Sequence, residues 1–156
     1  MRLSVIAASS RQPRWVGEGF DEYAKRMRGS CTLELIEVAL GRRGAGASLT
    51  RALAAEGERM LAKLPRNAVA VALDERGEQW STADLAGRLR TWLTLGRPVA
   101  FLVGGPDGLD PACRRRADEQ WGVSPLTLPH GLVRIVVAEA LYRAWSMLEG
   151  HPYHRA

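Results

Sequence analysis

Two loops, each closing an apolar run, carry the residues of this chain best suited to hold a small molecule. Phe101–Leu109 reads FLVGGPDGL and Leu126–His130 reads LTLPH. The first is an apolar strand that breaks into a glycine-proline turn. In the second, Pro129 stops a short apolar run and a histidine opens the helix that follows. Loops at strand ends can present bare backbone N–H and C=O groups to a ligand. His130, Arg143, His154 and Arg155 add titratable and cationic chemistry in the same C-terminal stretch.

The better-known site motifs are missing. Gly104-Gly105-Pro106-Asp107-Gly108 lacks the GxGxxG spacing, and neither GxxxxGK followed by Ser or Thr nor a GxSxG elbow occurs. Alone, that turn is ordinary turn chemistry. The Ser124–Pro129 loop changes the reading, because the C-terminal ends of parallel strands gather on one edge, where ligands bind. Leu73, ending its own strand, should reach the same edge. His151 and His154 sit three apart, yet no cysteine or acidic cluster completes a coordination set, so no metal is expected. Arg114, Arg115 and Arg116 read as a solvated helix face. Glu139 and Arg143, at i and i+4, read as a surface ion pair, and Tyr142 and Trp145 as core or subunit interface.

The elements that must position these loops alternate regularly. Strands are expected at Arg2–Ala8, Thr32–Val38, Ala68–Leu73, Pro98–Val103 and Val123–Leu128. Helices are expected near Val16–Arg28, after the Ser48 cap, after the Ser81/Asp84 capping box, after Asp110-Pro111, and over Gly131–Leu148. Leu49, Leu53, Met60 and Leu64 should form the buried stripe of the second helix, and Leu85, Leu89, Trp92 and Leu93 that of the third. Gly41–Gly46, GRRGAG, should be a mobile basic loop, and Asp74–Gly77 a turn. The pattern predicts one α/β domain over residues 1–156: a mostly parallel sheet with helices on both faces.

Composition narrows the classes. The chain has 156 residues, 46% hydrophobic and 25% charged, enough for one domain with a sizeable core. No apolar run approaches the ~18 residues of a membrane span, and Val5–Ala8 is too short for a signal-peptide core, so a cytoplasmic location is expected. Cys31 and Cys113 lack metal spacing and read as reduced and partly buried. The net charge is +5, and the only lysines are Lys25 and Lys63. Arginine's planar donor fork suits phosphate, so the excess modestly favours an acidic partner such as RNA.

FLVGGPDGL, LTLPHGLVR, AEALYRAWS and the terminal HPYHR together resemble the large-subunit ribosomal RNA pseudouridine N3-methyltransferase (RlmH) family of SPOUT-class enzymes. Length, the early Trp15, the GRRG loop and VALDERG agree as well; Gly131 departs, standing where an apolar residue or proline is common. The resemblance implies a trefoil knot over roughly residues 70–156, an exception to the usual avoidance of knots. It implies S-adenosylmethionine held by Leu73, Gly104, Gly105, Ser124, Pro125, Leu126, Thr127, Leu128 and Pro129, so that a bulky side chain at Gly105 should block it. It implies a homodimer whose active sites draw on both subunits, acting on 23S rRNA in the assembled ribosome. The imide N3 must lose a proton to become a good nucleophile, which a histidine can accept while an arginine offsets the charge. Tyr153, His154 and Arg155 in the tail, with His130 and Arg143 nearer the knot, are the candidates, and the base among them stays open. A SPOUT enzyme with another RNA target, or a non-catalytic ribosome-binding factor, are the alternatives.

Overall fold

A computed structural model describes residues 1–44, 46 and 48–155. The strands are β1 (Arg2–Ala8), β2 (Thr32–Val38), β3 (Val69–Glu78), β4 (Val99–Val103) and β5 (Glu119–Trp121). The helices are α1 (Arg14–Ala24), α2 (Leu49–Ala62), α3 (Thr82–Leu95), α4 (Pro111–Arg116) and α5 (His130–Leu148), followed by a 3-10 turn over Pro152–Arg155. The sheet order is β2-β1-β4-β3-β5, and all four pairings are parallel.

Alternation along the central strands builds two unequal cores. Leu3, Val5, Val71, Val99 and Phe101 face α1, α3 and α5, where they meet Phe20, Leu89, Trp92 and Leu141. Trp92 and Trp121 both approach Phe101 edge-on, at 5.9 and 6.0 Å between centroids. On the opposite face Ala8, Ala70, Ala72 and Ala100 leave a thin layer that α2 and α4 close through Met60, Leu109 and Cys113. Gly57 lets these two helices approach, since a Cβ there would lie 2.7 Å from Asp110 Oδ2. None of the helices is long and apolar enough to cross a membrane among the described residues.

Local signals explain several boundaries. Ser81 accepts the Asp84 N–H while the Asp84 carboxylate accepts the Ser81 N–H, and Gly96 ends α3 in the left-handed conformation at φ 68°. Ser48 caps α2 as expected. Helix α1 is shorter than its periodicity suggests: beyond Ala24 the chain tightens into i→i+3 bonds at Arg26 and Met27 before Gly29 turns it. Met27 is nonetheless buried.

Three expectations are corrected. The run Val123–Leu128 is not a strand, because Pro125 and Pro129 lack the N–H a ladder needs and Ser124 Oγ draws the Leu126 N–H into a turn. The fifth strand is instead the polar-looking Glu119–Trp121, started where Asp118 exchanges hydrogen bonds with Ala70. Asp74–Gly77 does not end β3, which runs on to Glu78 through a register shift after Leu73. The face of α2 is rotated: Leu49 is 50% exposed, while Ala52, Glu56, Gly57 and Met60 are buried.

Of the glycine-arginine loop, Ala45 lies outside the described residues, but Gly41 and Arg43 are anchored rather than free. Gly41 N–H and Arg43 Nη1 both donate to the buried Glu56 carboxylate, and Arg43 Nε donates to Asp107 at 2.9 Å.

Candidate functional site

The parallel strands deliver Leu73 and Val103 to one edge of the sheet, and a cavity of about 720 Å³ opens there. This lies within the ~300–1,000 Å³ typical of small-molecule sites. Leu73, Gly104, Gly105, Ser124, Leu126, Thr127, Leu128, Pro129 and His130 all line it; Pro125 does not. Two loops distant in sequence are thus brought to one place. The 124–129 segment contributes the apolar Leu126, Leu128 and Pro129 beside the polar Ser124 and Thr127, with Leu126 left 71% exposed at the rim.

The glycine turn is shaped by its own backbone. A Cβ on Gly104 would lie 2.4 Å from the Gly108 carbonyl carbon, so only glycine allows the chain to fold back there. The turn is closed by Gly108 N–H donating to Gly105 O at 3.0 Å, with Gly108 at φ 85°. A side chain at Gly105 would not enter the cavity: its Cβ would meet Leu40 Cδ2 at 2.8 Å and Ala8 O at 3.1 Å. Bulk at this position would therefore displace the turn rather than block a ligand directly. Asp107 ties the turn to Arg43 and, through it, to Glu56 on α2.

Composition and motif reading missed one wall of the cavity. Asp74, Glu75, Arg76 and Arg114 line it. Arg114 Nε lies 2.9 Å from Asp74 Oδ2, whose side chain is only 8% exposed. Arg114 is thus separated from the solvated face expected for its helix, whereas Arg115 is exposed and Arg116 bonds to Asp118 and Ala68. Asp74 had a readable signal, since it follows Leu73, where the apolar run of β3 stops. Arg114 had none.

His130 opens α5 at the cavity edge, half-buried, with Nε2 3.2 Å from the Gln12 amide nitrogen. Gly131 makes room for this neighbour, as a Cβ there would lie 2.6 Å from Gln12 Oε1. Burial, and then the positive Arg134, hold His130 below its ordinary 6.5, so the ring is neutral at pH 7. Arg134 is fully buried and donates to Glu37 at 3.0 Å, and Ser9 donates to the same carboxylate oxygen at 2.8 Å.

The remaining candidates form a second group. Glu139 Oε1 accepts from Arg143 Nε at 2.8 Å and from Tyr153 Oη at 3.1 Å. The Arg143 guanidinium stands 4.8 Å above the Tyr153 ring, and Tyr153 packs 4.5 Å from Tyr142. Burial and then Glu139 push the Tyr153 phenol up to about 12, so it remains a donor. His154 Nδ1 is buried with no hydrogen-bond partner among the described residues, and Arg155 is exposed. Arg143, Tyr153, His154 and Arg155 do not line the cavity. Glu139 lies nine residues along α5 from His130, about 13 Å along the axis. Within one chain the tail and the cavity are separate.

A family model described as "Predicted SPOUT methyltransferase" matches residues 1–154 of this chain. Among curated proteins, the "Ribosomal RNA large subunit methyltransferase H" of Alkalilimnicola ehrlichii is 56% identical over 156 residues, covering 100% of both chains. The protein of the same name from Thioalkalivibrio sulfidiphilus is 52% identical over 155 residues, covering 99% of each. Among solved structures, a methylase family protein from Neisseria gonorrhoeae superposes with a TM-score of 0.56 over 90% of this chain and 81% of its own. At 15% identity that likeness concerns the fold alone.

Proposed function

The chain belongs to the SPOUT methyltransferase family, and we propose that it transfers a methyl group from S-adenosylmethionine to large-subunit ribosomal RNA. The acceptor we propose is N3 of a pseudouridine in 23S rRNA on the assembled ribosome. The observation that carries this reading is the meeting of the 104–108 turn, the 124–129 loop and His130 around one cavity. Its volume, its apolar Leu73, Val103, Leu126 and Leu128 surfaces, and the backbone groups of its loops suit a nucleoside with a short methylene chain. Arg114 Nε, on the cavity wall and without a hydrogen-bond partner among the described residues, offers a donor to a polar ligand group.

The cofactor supplies an electrophilic methyl on a sulfonium. The protein's work is to orient it, exclude water and manage one proton. Neutral His130, at the cavity edge, is competent to accept the N3 proton at pH 7. The tail offers a second set: Tyr153, His154 and Arg155, stiffened by Pro152 and backed by Glu139 and Arg143. Since the tail lies away from its own chain's cavity, we propose a homodimer in which each tail serves the partner's cavity. A tail so placed would bring His154 or Arg155 to the acceptor base, there to take the proton or offset the imide's developing charge.

Threading of residues 70–156 as a trefoil knot belongs to the same proposal. What supports it is the close packing of Gly77 against Gly122, beside the β3–β5 pairing, where a Cβ on either would come within 2.7 Å of the other segment's backbone. Titration calorimetry with S-adenosylmethionine tests the cavity assignment: one site per chain is expected, and no heat at millimolar ligand would overturn it.

A further inference from the structure

An ion pair on the cavity wall has no role in the fold that its surroundings explain. Asp74 Oδ2 and Arg114 Nε are 2.9 Å apart, yet the Nε–H does not point along that line and counts no acceptor. Arg114 donates no other side-chain hydrogen bond among the described residues. Its Nη2 stands 3.8 Å from the point a Cβ on Gly108 would occupy, beside the glycine turn. Asp74 Oδ1 accepts the Arg76 N–H at 3.0 Å, which leaves Oδ2 facing Arg114. Nε is the buried donor of this guanidinium that stays unpaired among the described residues, and a buried donor left unmade is costly; the side chain is otherwise 32% exposed, open to a partner that enters the cavity.

Opposite charges fixed side by side, on a cavity wall that Glu75 and Arg76 share, match a ligand end that carries both signs. Adenine and ribose carry neither. The amino-acid end of S-adenosylmethionine carries an α-carboxylate and an α-ammonium. Resting on the reading that this cavity holds that cofactor, we infer that Arg114 binds its α-carboxylate and Asp74 its α-ammonium. The planar guanidinium suits a carboxylate through paired N–H···O bonds. The charged wall then sets which end of the cofactor goes where, leaving the apolar 126–129 loop to the adenine. Arg114 and Asp74 are binding residues in this account, and neither moves a proton.

Two ligands separate the possibilities: S-adenosylhomocysteine, which keeps the amino-acid end, and 5′-methylthioadenosine, which lacks it. Calorimetry on the full-length protein should show Arg114→Met lowering affinity for S-adenosylhomocysteine about 10–100-fold, the scale of a lost charge-assisted pair. Affinity for 5′-methylthioadenosine should change by less than about 3-fold. Arg114→Lys should recover part of the loss, and Asp74→Asn should repeat the selective pattern. Circular dichroism melts confirm that each variant is folded, and the Lys variant carries the test if the Met variant is not. Equal losses for both ligands, or no loss for either, would overturn the inference. A parent protein that binds neither ligand would instead overturn the cavity assignment on which the inference rests.

Discussion

Replacing Glu56 with alanine should be among the most damaging single changes to this fold, although no catalytic role attaches to it. The carboxylate is 2% exposed and accepts both the Gly41 N–H, at 2.9 Å, and the Arg43 guanidinium. Stranding the Gly41 N–H costs about 1–3 kcal/mol. Depriving a fully buried cation of its partner costs ~3–5 kcal/mol. Arg43, however, is 27% exposed and keeps Asp107, so its share falls well below that range. A total of roughly 3–4 kcal/mol follows. Urea denaturation followed by circular dichroism should show the midpoint falling with little change in slope. Arg43→Met combined with Glu56→Met should be less damaging than the sum of the two single changes, because it removes both charges together. A loss below about 1 kcal/mol for Glu56→Ala, or strict additivity in the pair, would refute the reasoning.

Further outcomes follow from the site. Deleting residues 154–156, the last of which lies outside the described residues, should leave S-adenosylmethionine affinity near its parent value. Methyl transfer to ribosomes should drop at least ~100-fold, and near-normal turnover would reduce the tail to a tether. Analytical ultracentrifugation at micromolar concentration should show a dimer, and a compact monomer would contradict a shared site. The fold favours neutral His130, so the stability this contributes is complete above pH 6.5 and is lost as pH falls through the lowered folded value. The urea midpoint should therefore fall more between pH 7 and pH 5 in the parent than in His130→Gln, and equal falls would remove His130 from the account.

Much of this architecture is legible in the sequence where local chemistry dictates it. The Ser81/Asp84 capping box, the Asp110-Pro111 start and the alternating residues of β1 and β4 each fix an element within a residue or two. The two loops also read correctly as neighbours, because parallel strand ends share an edge. The failures have physical causes. Val123–Leu128 has strand composition but carries prolines at or beside it that forbid a ladder, whereas Glu119–Trp121 looks polar and pairs because β3 offers a free edge. Glu56 is invisible to hydrophobic periodicity: a buried carboxylate is stabilised by partners on another element. The Asp74–Arg114 pair joins segments with no pattern in common. No spacing in the sequence separates the tail from the cavity of its own chain; only the length of α5 does.

Identifying the methylated nucleoside decides whether this protein carries out the proposed transfer. Purified protein would be incubated with methyl-labelled S-adenosylmethionine and ribosomes from a strain lacking the enzyme. Separated rRNAs would then be digested and their nucleosides resolved by mass spectrometry. Label is expected in large-subunit RNA only, recovered as 3-methylpseudouridine. Label on any other nucleoside, or no transfer by a protein that binds the cofactor, would contradict the proposal.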